Sequence, residues 1–280
     1  MSIPCIIIMV IGIAIALYGM NIQKKGAAIG QPLAIIGAIL AIGCALWNAT
    51  KNFGGDDAAI AREQRYIKVE HKMLGQEIAR QIPGLKKVAV LVDANNYFDS
   101  WGEELPQKRD DYGLIGLKEG LGTGVEVDEL YITPKKIAKP APQKDSNGNE
   151  IPPMPPMMGE MGMMTPQQLK DLVGRAKDAE VIVVLNQLPP MVPLAASMAQ
   201  LKGKKVALAN CANPDDCGAV FQDGGKQTGE LICVVVSKRS AVYDDSIPSS
   251  DQAVFDKRYA LITKDNYKTA IPEAMAEGKK

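Results

Sequence analysis

Two sets of residues in this chain have types and spacings suited to chemistry. The first follows the ends of short apolar runs: Asp93, Asn95, Asn96 and Tyr97 in VLVDANNY, Trp101 just beyond, Asn186 and Gln187 in VVLNQ, and Asn210 with Asn213 in LANCANP. Neutral amides beside aromatic rings suit a polar small molecule such as a sugar, through paired donors and acceptors and a flat apolar face. Asparagine is also a routine turn former, because its side chain hydrogen-bonds nearby backbone, and the pattern leaves both readings open. The second set is the run IPPMPPMMGEMGMMTP, which holds Met154, Met157, Met158, Met161, Met163 and Met164 among five prolines. Thioethers select Cu(I), yet no His or Cys lies in the run to complete a site. Flexible methionines also make adaptable contact surfaces, so contact with a neighbouring subunit or a membrane is preferred over metal, with plain disorder of the run as the alternative. No metal and no cofactor are expected.

Asp93 carries a further possibility. VLVDANN resembles the pattern of the NYN/PIN nuclease family, an Asp followed three residues on by Asn96. That resemblance implies several acids gathered round a divalent metal, and metal-assisted hydrolysis needs more carboxylates than this pattern supplies. The later strand end, VVLNQLPP, offers none. A simpler role for Asp93 is capping the turn after its strand. The single histidine, His71, falls in a basic helical stretch and is expected to be solvated or interfacial. Its position argues against a Ser-His-Asp or Cys-His arrangement in the α/β segment, and one histidine cannot build a multi-histidine zinc site. GLGTG at 120–124 ends a helical stretch and precedes a strand, which marks a helix C-cap and not a phosphate loop.

Equal totals of 32 basic and 32 acidic residues leave no net field to attract nucleic acid, and 5% aromatic content supplies few stacking platforms. No nucleic-acid partner is expected. Residues 3–20 and 32–50 contain no charged side chain, and as helices each is near the lower end of the length that crosses roughly 30 Å of hydrocarbon. Tyr18 and Trp47 stand near the ends of these runs, where amphipathic rings favour the interface. A cleaved signal peptide would carry a basic leader, and a second apolar run would not follow after eleven residues. Small residues spaced four apart, at Ala34, Gly37, Ala38, Ala41 and Ala45, allow close helix packing. A transmembrane hairpin over 1–50 is therefore expected, with 51–85 as a linker and amphipathic stalk helix. NFGGDD at 52–57 reads as a flexible exit, and Pro83-Gly84 ends the helix. Lys24 and Lys25 lie in the short loop. They favour a cytoplasmic loop and an extracytoplasmic (periplasmic) domain on a cell inner membrane. Lys51, Arg62 and Arg65 pull the other way.

From residue 86 the pattern changes. KKVAVLVD, VEVDELYI, EVIVVLN, KKVALANC, the apolar end of DGGKQTGELICVVVS, and DKRYALITKDNY read as strands. Helices are expected between them, in LPQKRDDYGLIGLKEGLG, in TPQQLKDLVGRAKDA with Thr165 at N-cap and Pro166 at N1, in PMVPLAASMAQLKG and in DGGKQTG. The alternation predicts a three-layer, Rossmann-like α/β domain over 86–280, with a mostly parallel sheet and a Pro/Met-rich insertion at 133–165.

The stretches KKVAVLVD…NYFDSWGEELPQKRDDYGLIGLKEGL, LKDLVGRAKDAEVIVVLNQLPPMVPLAASMAQLKGKKVALANC, DGGKQTGELI and LITKDNY resemble the type I periplasmic (sugar) binding protein family. The resemblance covers most of 86–267 and includes a G-x-x-x-G-E-L phrase and a closing strand running into TK-x-N. It implies a sugar-like ligand at the strand ends. That family has two lobes, whereas this chain holds one lobe's worth, so a ligand clamped between lobes does not carry over.

Of the five cysteines, Cys5 and Cys44 fall in the apolar runs, and Cys211 and Cys217 in NCANPDDCG either close a small loop or remain buried thiols. Taken together, the residues predict a membrane-anchored, non-enzymatic α/β domain that assembles with a protein partner or with copies of itself. Small-molecule binding and a degenerate nuclease are the alternatives.

Overall fold

A computed structural model describes residues 3–25, 29–141, 143–144, 150–151, 164–185, 188–189, 192–211, 213–244 and 246–277. Two compact units divide the chain, Met1–Glu63 and Gln64–Lys280.

In the first unit, α1 (Ile3–Lys24) and the leading part of α2 (Gly30–Gln81) are helical. They meet through glycine. A Cβ on Gly37 would stand 2.4 Å from the Ala16 nitrogen and 2.6 Å from the Gly12 carbonyl oxygen, so only a hydrogen lets the backbones come this close. Gly12 and Gly37 are buried, while Ile11, Ile13, Leu17, Ile35 and Ile36 are exposed. Small residues inside and large apolar residues outside invert the pattern of a water-facing helix pair. Ala38, also expected at the contact, is exposed. Among the described residues no helix is long and apolar enough to cross a membrane. The full spans expected at 3–20 and 32–50 rest on the amino-acid pattern, and the side chains of 39–50, Trp47 included, lie outside the described residues.

The flexible exit expected at 52–57 is helical instead: α2 runs unbroken from Gly30 to Gln81. Interior glycines cost a helix about 1 kcal/mol each relative to alanine. Two of them do not interrupt α2 here.

The second unit begins inside that helix. Tyr66, Val69, Leu74 and Ile78 are fully or almost fully buried, while Ile60 and Ile67 face outward. The periodicity that reads as a stalk is the core face of a packed helix. Along the chain follow β1 (Lys87–Leu91), α3 (Tyr112–Leu121), β2 (Glu126–Leu130), the short antiparallel pair β3 (Gln143–Lys144) and β4 (Glu150–Ile151), and α4 (Pro166–Arg175). Then come β5 (Val181–Val184), α5 (Leu194–Ala199), β6 (Lys205–Leu208), α6 (Pro214–Asp223), β7 (Glu230–Ser237), α7 (Asp251–Arg258), β8 (Tyr259–Thr263) and α8 (Tyr267–Met275). The six-stranded sheet has the order β2-β1-β5-β6-β7-β8, parallel except for β8 against β7. The predicted α/β class with a mostly parallel sheet and flanking helices is what the chain forms.

Strand alternation sorts the core into two layers. Val88 and Val90 of β1 join α2, α3 and α7 on one face, while Ala89 and Leu91 join α4, α5, α6 and α8 on the other. Burial on both faces explains why the strands are continuous β-branched runs. Helix α3 lies against α2 through glycines: a Cβ on Gly116 would be 2.0 Å from the Lys68 carbonyl oxygen, and one on Gly120 2.1 Å from that of Lys72.

Local signals account for the helix starts. Thr165 and Gln168 form the capping box of α4, with Pro166 in its first turn. Helix α3 starts only at Tyr112, capped by Asp111, so the expected helix loses its LPQKRD portion. The cysteine loop NCANPDDCG instead opens α6, with Asn213 as cap and Pro214, Asp215 and Asp216 in the first turn. DGGKQTG, expected as a helix, is the turn after α6, where Gly224 takes the left-handed conformation at φ 60°.

Candidate functional site at the carboxyl edge of the sheet

Strand β1 has β2 on one side and β5 on the other. From β1 the chain crosses through α3 on one face, and from β2 it returns through α4 on the opposite face. In open α/β sheets this reversal opens a crevice at the carboxyl ends of the strands. The turn after β1 therefore occupies the position where such folds bind ligands.

That turn is tied together from within. Asp93 caps the short 3-10 turn Ala94–Asn96, its carboxylate accepting from the Asn95 backbone N–H at 2.9 Å. Asn95 itself is exposed. The Asn96 side chain donates to Asp111 Oδ2 at 2.7 Å, and Asp111 Oδ1 accepts from the Leu114 N–H at 2.9 Å to cap α3. His71 completes this cluster. Its Nδ1 lies 2.7 Å from the Ile67 carbonyl oxygen, and a carbonyl only accepts, so Nδ1 carries the proton and Nε2 is left as an acceptor. The hydrogen on Gly113 makes room for the ring: a Cβ there would be 3.0 Å from Nε2 and 3.2 Å from Asp111 Oδ1. Burial lowers the His71 pKa, against the opposing hydrogen bond to Ile67 and the charge of Asp111. His71 is thus buried in the α/β unit, and the expectation of a solvated or interfacial ring does not hold. The cause is the inward face of α2.

Glu70, next along α2, has its carboxyl raised to about 8, because burial outweighs the hydrogen bond from Tyr259. Its Oε2 stands 4.0 Å from His71 Nδ1. Nearby in sequence to Tyr259, the buried Arg258 sets its guanidinium 3.5 Å from the Tyr66 ring centre and 4.4 Å from that of Tyr243.

Tyr97 points to the β2 side of the edge. It stacks on Tyr131 with ring centres 4.1 Å apart, and its hydroxyl donates to Glu129. Lys118 also donates to Glu129, at 2.7 Å, as does Lys108. Burial alone would raise the Glu129 carboxyl, but the bonds from Lys108, Lys118 and Tyr97 outweigh it and hold the group at about 2. Trp101 is held through its backbone. Its N–H donates to Asp99 Oδ1 at 2.9 Å and its carbonyl accepts from Ile137 N–H at 2.9 Å. Gly102, at φ 75°, packs against Lys135, so this lobe anchors the start of the 133–165 insertion.

The other predicted residues are not drawn in. Asn210 follows β6, two strands from β1, and is exposed. Asn186 and Gln187 lie outside the described residues, as do Met154, Met157, Met158, Met161 and Met163. Met164 is half-buried and packs against the core layer of α4, α5, α6 and α8. Cys211 and Cys217 are free thiols. Among the described residues no group of three or more His, Cys, Asp or Glu is arranged to hold a metal ion. An open cavity of about 220 Å³ beside α3 is lined by Lys108, Arg109, Asp111, Leu114 and Lys118, and another of about 180 Å³ by Tyr131, Thr133, Gln168 and Arg175. Both are smaller than the usual ligand cleft.

His71, Glu70, Asp111 and Arg258 are the site residues that the sequence pattern does not gather. The signal for Asp111 is its position as N-cap before YGLIGL. For His71 and Glu70 only the buried face of α2 would reveal them. No family model matches this sequence, and no curated protein or solved structure matches it either.

Proposed function

We propose that this protein is a membrane-anchored, non-enzymatic α/β subunit that assembles with a protein partner or with copies of itself. The helix pair α1 and α2 forms a hairpin in a cell inner membrane, and the α/β unit stands on the extracytoplasmic side. One observation carries the reading: the pair buries glycine at its contact and exposes Ile11, Ile13, Leu17, Ile35 and Ile36. Water penalises such a surface, and lipid does not. The loop lysines Lys24 and Lys25 support the orientation, and the long Pro/Met-rich insertion supplies an attachment surface. The polar residues after β1 bond mainly to one another, which favours a structural edge over an open ligand cleft.

Extraction of the full chain from its own membranes in mild detergent, followed by crosslinking, tests this reading. A defined partner or homo-oligomer is the expected result, and a partner-free monomer would overturn it. The second reading is a polar small molecule at the switch point, favoured by the buried His71 acceptor beside Asp111. A thermal-shift screen with sugars and nucleosides would exclude it if none raised the melting temperature. Resemblance to the periplasmic binding proteins belongs with that second reading. A nuclease role would require Asp93→Ala to abolish a measured cleavage.

A further inference from the structure

Past the end of β6 the chain places two thiols together on the α5–α6 side of the sheet. Cys211 follows the strand and is half-buried; Cys217 sits in the first half of α6 and is fully buried. Cys211 Sγ lies 3.1 Å and Cys217 Sγ 4.0 Å from the same acceptor, the Asn213 carbonyl oxygen. Sharing that one carbonyl sets the two sulfurs side by side in the turn. Asn213 and Pro214 fix the turn between them as the cap and first residue of α6. Cys233, the third described thiol, is buried in the opposite core layer, away from both.

We propose that Cys211 and Cys217 form a thiol–disulfide exchange site that closes to an intramolecular disulfide on reaction with a low-molecular-weight disulfide. Exposure and bonding assign the roles. Cys211 is reachable, and the hydrogen bond from the Cys217 thiol lowers its pKa, while that bond and burial raise the pKa of Cys217. The nearby Asp216 opposes a negative charge on either sulfur. A Cys211 thiolate attacks one sulfur of the external disulfide. Its S–S bond breaks, and one half leaves as a thiolate that takes up the proton lost from Cys211. The mixed disulfide on Cys211 then meets Cys217. The Cys217 sulfur gives up its proton, attacks the Cys211 sulfur, and expels the second half as a thiol. Two electrons pass from the protein to the external disulfide, which ends as two thiols, and one new S–S bond joins residues 211 and 217.

The test uses the full-length chain in detergent, reduced, freed of reductant, exposed to oxidised glutathione, acid-quenched and peptide-mapped. Wild-type protein is expected to lose the mass of two hydrogens across 211–217, with no glutathione retained. Cys233 is expected to alkylate only after denaturation. Cys217→Ala should stop at a stable glutathione adduct on Cys211, and Cys211→Ser should give no adduct on Cys217. Circular dichroism of both variants checks that they fold. The disulfide should also raise the melting temperature of oxidised over reduced wild type by several degrees, a readout independent of labelling. Persistent glutathione on wild-type Cys211, two intact thiols after exposure, or direct labelling of Cys217 in Cys211→Ser would each overturn the proposal.

Discussion

The chain uses the same device twice and in opposite surroundings. In the first unit, Gly37 lets α2 touch α1; in the second, Gly116 and Gly120 let α3 touch α2. At both places a Cβ would meet a backbone atom at 2.6 Å or closer. The outer surfaces differ. Helix α3 exposes Lys118 and Glu119, whereas the first pair exposes Ile13, Leu17 and Ile36. Close glycine packing is therefore common to both places, and what separates them is the residues turned away from the contact, charged on α3 and apolar on the first pair.

The largest expected effect is at the tightest approach. Gly116→Leu should destabilise the α/β unit by roughly 3 kcal/mol or more, since a side chain there must displace backbone. Thermal melting followed by circular dichroism measures it, and a loss under about 1 kcal/mol would show that α3 can slide away from α2. Gly37→Leu should leave that melting transition unchanged and reduce crosslinking between cysteines introduced into α1 and α2. Equal effects of both substitutions on the α/β transition would break the comparison.

A second contrast separates two carboxylates at the carboxyl edge. Glu70 is raised to about 8 by burial, and Glu129 is held at about 2 by three donors. The signs follow from proton binding. Glu70 favours the fold below its unfolded value of 4.5, and that contribution is lost as the pH rises towards about 8. Glu129 contributes above 4.5 and loses its contribution as the pH falls towards about 2. Glu70→Gln should therefore stabilise the protein at pH 8 by roughly 1–3 kcal/mol and change little at pH 4, as read by denaturant titration at the two pH values. Glu129→Gln should do the reverse, losing stability at neutral pH and almost none in acid. Its lysine partners are well exposed, so solvent screening keeps that effect smaller. Asp93→Ala is the mildest change. It removes one cap bond at a half-buried position, and a loss under about 1 kcal/mol is expected in the same titration.

What could be read from the sequence was local or periodic. KVAVL, with apolar side chains on both faces, announces a doubly covered strand, and Thr165-Pro166 announces a helix start with no help from elsewhere. Asp93 as a turn cap is legible for the same reason. The Asn96–Asp111 bond links residues 15 apart, and His71 reaches them only because glycines bring α3 onto α2. No local pattern carries that. The helical periodicity at 60–82 was legible as a helix, but its buried side was not: Tyr66 and Val69 face the core where Ile60 and Ile67 do not. Ile, Val and Tyr all serve on either face, and only the packing partner decides between them. The antiparallel β8 escapes for a related reason, since strand direction depends on where α7 returns the chain. At α6 the capping signal Asn213-Pro214-Asp215-Asp216 was present, but it overlaps the two cysteines and reads equally as a turn.

The proposed membrane-facing surface of α1 and α2 is open to direct test in the full-length chain. With native cysteines replaced, Leu17→Cys and Ile36→Cys each carry an environment-sensitive fluorophore in reconstituted bilayers. Quenching of both by brominated acyl chains, and not by aqueous iodide, is the result that lipid-exposed helices predict. Quenching of both by iodide with no effect of brominated lipid would contradict it.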